Sequence, residues 1–248
     1  MNVIYSNLRR ALTSSSFWLA VAVTSCLLIA AVWEDGAKQL SSVGFFTGEF
    51  IRPLLLDNIR VDLVMLSLPI LSTLPYSGNY LEEWSGGYIK FCLHRTTRSS
   101  YLAGKIIACV CSGGLCLVLG LLLPWGLTVL FPAGNENWIS SFYLLPTLKT
   151  CLRLLFYGSF WSLTGMLLSV CTETTYFAVG GPFVLYYVLM ILYQRYLDGY
   201  FCLSPREWLF PGEHWPLYGW STLLLMLGLN LCVVFLLIYC VQRRLREL

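Results

Sequence analysis

The side chains that could do chemistry in this sequence are few, and most of them stand in one segment. That segment, EEWSGGYIKFCLHRTTRSSYLAGK, begins with the adjacent carboxylates Glu82 and Glu83 and ends at Lys105. Paired acids can transfer protons, and an EExxxR pattern is typical of one class of intramembrane protease. Here the arginine position is Gly87, and the whole chain has only two histidines to offer as partners. An intramembrane enzyme is therefore disfavoured.

The sequence also has no loop of the kind that binds nucleotide phosphates. Such a loop, GxxxxGK[ST], needs glycine backbone N–H groups and a lysine around the phosphates. The only Gly-Lys pair is Gly104-Lys105, which Ile106 follows, and Ser99 stands where the first glycine is needed. The HExxH, GxSxG and CxxC patterns are absent as well. We therefore expect no catalytic residue, no cofactor-binding residue and no metal ligand in this chain.

The composition is that of a membrane protein. Hydrophobic residues make up 57% of the 248 positions and charged residues only 12%. Soluble domains carry about 25% charged residues, so this chain has too little polar surface to cover a soluble particle. The net charge of +3 is too small to indicate a nucleic-acid partner. The expected class is an all-α integral membrane protein.

Six apolar stretches are long enough to cross a bilayer, which takes roughly 20 residues in a helix. We expect them to form one transmembrane domain over residues 1–248, with no soluble domain attached. The predicted spans cover residues 15–33, 60–78, 105–131, 149–171, 175–194 and 217–241. The segment 79–104 separates the second span from the third. The last outer loop, 195–216, is rich in aromatic residues, Pro and Gly, so it could lie in the interface or dip back into the protein.

The distribution of basic residues predicts that both termini face the cytoplasm. The inner segments then hold nine basic residues against seven outside, and the outer ones are interleaved with acids. The inner residues are Arg9, Arg10, Lys90, Arg95, Arg98, Lys105, Arg243, Arg244 and Arg246. The turn around Glu173 becomes the second cytoplasmic turn. The chain is accordingly expected to be a multi-pass protein of the plasma membrane, in contact with lipid.

Four of the polar side chains within the predicted spans bear on function. Asp62, Lys149 and Arg153 stand near the outer ends of their spans. There they are better explained as groups that reach the headgroups than as an ion pathway. Asn230 is deeper, and we expect it to join helices by hydrogen bonding.

The segment after the second span has the pattern of a short amphipathic helix. Gly86-Gly87 breaks the chain, and an apolar cluster with two polar members follows it over residues 88–94. These spacings suit a helix lying along a membrane surface. The sequence RTTRSS then ends it, and Thr97, Ser99 or Ser100 could cap the third span. Lys105 would lie at the interfacial start of that span.

This segment resembles the loop between spans two and three of ABC-2 type transporter permeases. The shared order is an acidic residue, a glycine, a short helix, a basic break, then a tyrosine and a lysine entering a span. Six spans, both ends inside and a large connection between the last two spans also match the family. The resemblance implies the type V exporter architecture, in which the short helix is a coupling helix seated on an ATPase subunit. As a motif it covers only Glu82 to Lys105.

The resemblance also implies which residues contact the ATPase. Tyr88, Phe91 and Leu93 would be apolar anchors, and Arg95 and Arg98 would meet acidic groups of the partner. The implied contact residues are Tyr88, Phe91, Leu93, His94, Arg95 and Arg98. ATP and Mg²⁺ would bind to the partner chain, and two permease copies, favoured as a homodimer, would enclose the substrate path. The rival explanation is a surface helix bound to anionic lipid.

The resemblance implies the membrane subunit of a bacterial ATP-driven exporter. Small permeases of this kind are similar to exporters of amphipathic peptides of the phenol-soluble-modulin type, of antimicrobial peptides or of drugs. The alternative is a membrane-anchored immunity or scaffold protein without transport activity. The two differ in whether a separate ABC ATPase co-purifies with the chain.

Overall fold

The computed structural model describes residues 3–43, 48–128, 141–197, 199–212, 214–216 and 220–246. Within these ranges it describes the side chains of all residues except 3, 34–43, 48–52, 90, 93, 95, 141–144, 245 and 246. Every regular element in the described ranges is helical. The helices are α1 (Val3–Thr13), α2 (Ser15–Val43), α3 (Gly48–Asn58), α4 (Asp62–Thr73), α5 (Asn79–Ser85), α6 (Tyr88–Arg95), α7 (Arg98–Leu127), α8 (Ser141–Thr172), α9 (Tyr176–Tyr196), α10 (Pro205–Leu209) and α11 (Trp220–Arg246).

Five of the helices in the described part of the chain are long and apolar enough to cross a membrane. Their candidate spans are Ser15–Trp33, Arg98–Leu127, Leu145–Thr172, Tyr176–Tyr196 and Trp220–Arg244. They correspond to the first, third, fourth, fifth and sixth predicted spans. The all-helical class is therefore confirmed for the described residues, and the long apolar helices are compatible with a multi-pass membrane protein.

The predicted second span, 60–78, does not form one long helix. Helix α4 covers only Asp62–Thr73, which is 12 residues. At 1.5 Å per residue it is roughly 18 Å long, against about 30 Å for the apolar core of a bilayer. Pro75, in the turn that follows, has no N–H group with which to continue the helix. A sixth crossing therefore stays a prediction.

The stretches 34–59 and 132–148, which separate predicted spans and are predicted as outer loops, are partly helical in the structure. Within 34–59, α2 continues to Val43 and α3 covers Gly48–Asn58, so much of this loop is helical. The predicted loop 132–148 lies outside the described residues up to position 140, and α8 begins at Ser141.

Small residues bring α7 and α8 close together. A Cβ atom added at Gly158 would overlap the carbonyl oxygen of Gly113, so the two backbones touch at this point. The hydroxyl of Ser162 donates to the carbonyl oxygen of Cys109 at 3.1 Å, and that of Ser159 donates to the carbonyl oxygen of Val110 at 3.1 Å. Close backbone approach with hydroxyl hydrogen bonds is how helices associate where the surrounding solvent is itself apolar.

Helix α11 is joined to α8 by Asn230, as the sequence predicted. Its amide nitrogen donates to the carbonyl oxygen of Phe156 at 3.1 Å and to that of Met226 at 2.8 Å. Helix α4 packs among α2, α7, α8 and α9. Its buried side chains include Met65 and Leu68. The core centres on α7 and α8, with α4 packed against both.

The segment 195–216, predicted as the last outer loop, packs partly against the helix core. Its short helix α10 buries Trp208, whose ring centroid lies 5.4 Å from that of Phe160 and 6.3 Å from that of Trp161. Both partners stand near the middle of the Leu145–Thr172 candidate span. The guanidinium of Arg153 donates to the carbonyl oxygen of Leu209 in α10 at 3.4 Å, and whether it also reaches the headgroups stays a prediction.

Asp62, also predicted to stand near the outer end of its span, forms an ion pair. A guanidinium nitrogen of Arg206 lies 3.1 Å from a carboxylate oxygen of Asp62. Because both side chains are about half or more exposed, the pair orients α10 against the start of α4 rather than adding much stability.

Candidate functional site

The short helix predicted after the glycine pair is present. Helix α6 covers Tyr88–Arg95, and Gly87 before it has a φ of +71°. This left-handed conformation is strained for residues with a Cβ atom, so glycine is required at this turn. Gly86 ends α5, and its N–H donates to the carbonyl oxygen of Glu82 at 3.0 Å. Two residues therefore turn the chain from α5 directly into α6.

Helix α6 has one buried face and one exposed aromatic face. Ile89 is only 2% exposed, and Cys92, one turn later, packs against the same core. Tyr88 and Phe91 point the other way and are 66% and 77% exposed. Since residues three apart share a face of a helix, the two aromatic rings form one projecting surface.

The residues predicted to contact an ATPase divide accordingly. Tyr88 and Phe91 form the exposed face, and His94 and Arg98 are exposed as well. The other two predicted contacts are Leu93 and Arg95, whose side chains are not among those that the structure describes.

The start of α7 follows one of the three predicted caps. Thr97 is the N-cap residue, and its hydroxyl oxygen accepts a hydrogen bond from the backbone N–H of Ser100 at 3.4 Å. The helix therefore begins at Arg98, seven residues before the predicted start of the third span.

This earlier start corrects the interpretation of Lys105. Its side chain is fully buried, two turns inside α7, rather than lying at an interface. The ammonium donates to the Glu83 carboxylate at 2.7 Å, to the side-chain oxygen of Asn79 at 2.8 Å and to the hydroxyl of Tyr76 at 3.0 Å. A buried ammonium needs an anionic partner and further acceptors, and here it has both.

Glu83 is the centre of this buried cluster. Besides Lys105, the carboxylate accepts from the hydroxyl of Tyr101 at 2.8 Å and from the guanidinium of Arg10 at 2.8 Å. The Arg10 side chain is 60% exposed, whereas that of Glu83 is only 11% exposed. One carboxylate thus joins α5 to α7 through two contacts and to α1 through a third. We call Glu83, Lys105, Tyr101, Tyr76, Asn79 and Arg10 the Glu83 cluster.

Sequence reasoning missed the Glu83 cluster. The available signal was a lysine seven residues after a good N-cap, within an apolar run, since such a position lies two turns inside a helix. A lysine there needs an acid, and Glu83 is one of only two acids in the preceding segment.

Arg244 forms a second charged contact near the Glu83 cluster. Arg244, near the end of α11, forms an ion pair with Glu173 and donates to the carbonyl oxygen of Val170 at 2.8 Å. Its guanidinium carbon also lies 5.0 Å from the ring centroid of Trp84, which is the neighbour of Glu83. Glu173 has a φ of +60°, so the predicted second turn contains a left-handed residue. Arg244 therefore ties the end of α8, the end of α11 and α5 together.

These contacts gather four segments at one end of the helices. The N-terminal helix α1, the α5–α6 segment, the turn at Glu173 and the end of α11 all meet there. The arrangement fits the prediction that these segments share one side of the membrane, and the side itself stays a prediction.

The polar side chains at this end hold the helices together, and α6 exposes two aromatic rings there. The Glu83 carboxylate accepts three hydrogen bonds, two at one oxygen and one at the other. Burial raises the pKa of the nearby Tyr80 to about 12, so this phenol stays neutral. Among the described residues, no three His, Cys, Asp or Glu side chains lie close enough to share a metal ion.

Comparison with known proteins adds no relative. No family model matches the chain, and no curated protein sequence matches it significantly.

Proposed function

We propose that this chain is the membrane permease subunit of an ATP-driven exporter of the ABC-2 type. The observation that carries the proposal is the projecting aromatic face of α6. This face is held at one end of the helices by a glycine turn on one side and a capped helix on the other.

Two large aromatic side chains exposed on a short, well-anchored helix are suited to docking. Phe91 is 77% exposed and Tyr88 is 66% exposed. Both precede the apolar helix α7, which begins at Arg98. Exposed aromatic residues are typical anchors of protein interfaces, and arginine is the other common one. Arg98, which is exposed at the start of α7, would pair with acidic groups of the partner. In this function α6 is the coupling helix between the second and third spans.

The energy source would be a separate ABC ATPase subunit. The chain lacks a phosphate-binding loop, so ATP and Mg²⁺ would bind to the partner. A second permease copy would complete the substrate path. Helices α9 and α11 leave exposed apolar side chains, such as Val184, Tyr187, Leu224 and Phe235, for lipid or for that copy. Amphipathic peptides, antimicrobial peptides or drugs are the substrates proposed, in a bacterial plasma membrane.

The proposal is tested by co-purification with an ABC ATPase encoded beside the gene. The tagged permease is expressed with that ATPase, extracted in mild detergent and assayed for ATP turnover. We expect Tyr88→Ala/Phe91→Ala to lose both the ATPase and its turnover. The control is Trp220→Ala, because Trp220 is also an exposed aromatic residue, at 54%, but stands at the far end of α11. This variant should retain both.

The alternative predicts a different result. An immunity or scaffold protein would purify without an ATPase and without ATP turnover. If the α6 face binds anionic lipid instead, the double variant would retain the ATPase but bind less well to vesicles of anionic lipid. Either result would overturn the docking assignment.

A further inference from the structure

We propose that Glu83 is a positioning residue, through which displacement of α6 is passed to α1 and α7. The inference deepens the proposed function and rests on it for what displaces α6. It concerns residues that the predicted ATPase contact does not include.

The connection from α6 to Glu83 is short. Glu83 stands in α5, and only Gly86 and Gly87 lie between the end of α5 and the start of α6. Two residues span at most about 7 Å even when fully extended. Helix α6 is also held by Ile89, which is 2% exposed in the core. Displacement of α6 must therefore displace α5.

The buried ion pair makes α7 follow. Lys105 is fully buried, and Glu83 is its ionic partner, while its other two acceptors are the neutral groups of Asn79 and Tyr76. Separating the two charges would leave an unpaired ammonium in an apolar interior, which is strongly unfavourable. The Tyr101 hydroxyl holds the second carboxylate oxygen from the same helix α7. Moving the two helices together avoids this cost.

The third contact extends the connection to the N-terminal helix. Arg10 in α1 donates to the same carboxylate oxygen of Glu83 that accepts from Lys105. The Asn7 side chain of α1 also accepts from Tyr76, which in turn accepts from Lys105. Helices α1 and α7 therefore both donate hydrogen bonds to the Glu83 carboxylate of α5. This carboxylate is the shared contact of the three helices.

A structural role alone and a positioning role predict different behaviour in four variants of the full chain in lipid nanodiscs. The variants are Glu83→Gln, Lys105→Met, the double variant, and the control Glu82→Gln. Glu82 is the matched control because it is the adjacent carboxylate and is exposed. Melting temperature reports the fold, and amide hydrogen exchange reports the local opening of α1, α5 and α6.

If Glu83 has the positioning role, amide hydrogen exchange in α1 should be fast whenever residue 83 is uncharged. It should be fast even in a variant whose melting temperature is normal. Glu83→Gln should lower the melting temperature and raise exchange in α1 and α5 about tenfold or more, because it leaves Lys105 unpaired and frees Arg10. The double variant should recover the melting temperature but keep the fast exchange in α1. Lys105→Met should leave α1 slow, since Arg10 keeps its carboxylate.

Two results would overturn the inference. One is exchange in α1 that recovers together with the melting temperature in the double variant, which would make the role purely structural. The other is Glu83→Gln behaving like Glu82→Gln. Because the experiment uses this chain alone, its outcome is independent of whether any ATPase co-purifies.

Discussion

The ammonium of Lys105 lies 2.7 Å from the carboxylate of Glu83, and the two residues stand on the helices directly before and after α6. The pair closes residues 83–105 into a loop whose base is buried and whose tip carries Phe91. A short exposed helix has little stability of its own. Its position therefore depends on the closure of this loop, and the stability of the closing contacts can be tested one at a time.

Tyr101→Phe tests the second carboxylate contact. The Tyr101 hydroxyl donates to Glu83 at 2.8 Å, and hydrogen bonds to charged groups contribute about 1.5–3 kcal/mol. We expect the free energy of unfolding, measured by SDS titration in mixed micelles, to fall by about that amount. The matched control is Tyr80→Phe, because Tyr80 is equally buried but its hydroxyl has no hydrogen-bond partner in the described part of the chain. Equal losses in the two variants would contradict the assignment.

Arg244→Ala tests the second charged contact at this end. The substitution removes the hydrogen bond to the Val170 carbonyl and the cation–π contact with Trp84. We expect a loss of about 2 kcal/mol in the free energy of unfolding, mostly from these two contacts. The ion pair with Glu173 adds little, since that side chain is 72% exposed.

Two further variants separate these contributions. Arg243→Ala is the control, because Arg243 is the neighbouring arginine and is exposed. Glu173→Gln should cost less than Arg244→Ala. A larger loss in Glu173→Gln would show that the ion pair, and not the carbonyl contact, holds the end of α11.

Much of the helical architecture could be predicted from local sequence. The first span is expected at 15–33, and α2 begins at Ser15. The apolar length of a helix and its N-cap are local properties, which is why the cap at Thr97 was among those predicted. Gly87 is a local signal too, since only its own backbone conformation requires glycine.

The Glu83 cluster could not be predicted from local sequence, because it depends on the relative placement of three helices. A shift of seven residues in the start of α7 decides whether Lys105 lies at an interface or in the core. Arg244 meets residues more than 70 positions earlier, at Val170. Helical periodicity cannot show which of several cationic side chains faces the interior when the partner helix is unknown. Proline also limits the helix within the predicted second span, because α4 ends before Pro75.

Gly158→Ala tests the close approach of α7 and α8. The added Cβ atom would overlap the carbonyl oxygen of Gly113, so the helices must separate. Overpacking of this kind costs about 1–3 kcal/mol, and we expect that loss in the free energy of unfolding. Gly180→Ala in α9 is the control, since a Cβ atom there has nothing within 4 Å. It should be neutral or stabilising, because alanine favours helix by up to about 1 kcal/mol over glycine.

Trp208→Ala tests whether α10 is part of the core or a loop that merely covers it. The Trp208 ring packs edge-on against Phe160 at 5.4 Å, and its indole nitrogen donates to the Cys202 carbonyl at 2.8 Å. Removing a buried tryptophan costs about 3–5 kcal/mol when the cavity cannot collapse. The rigid partners on α8 should prevent that collapse, so we expect a loss in this range. Trp220→Ala is the control, because that ring is 54% exposed, and it should change stability by less than about 1 kcal/mol.

For Trp208→Ala, the segments in which hydrogen exchange increases also distinguish the two roles of α10. If α10 belongs to the core, hydrogen exchange should increase in α8 around Trp161 as well as in α10, since Trp161 lies 6.3 Å from the removed ring. If exchange increased only within residues 201–212 and stability were unchanged, α10 would be a covering loop. The inward packing seen here would then contribute nothing to the stability of the helices beneath it.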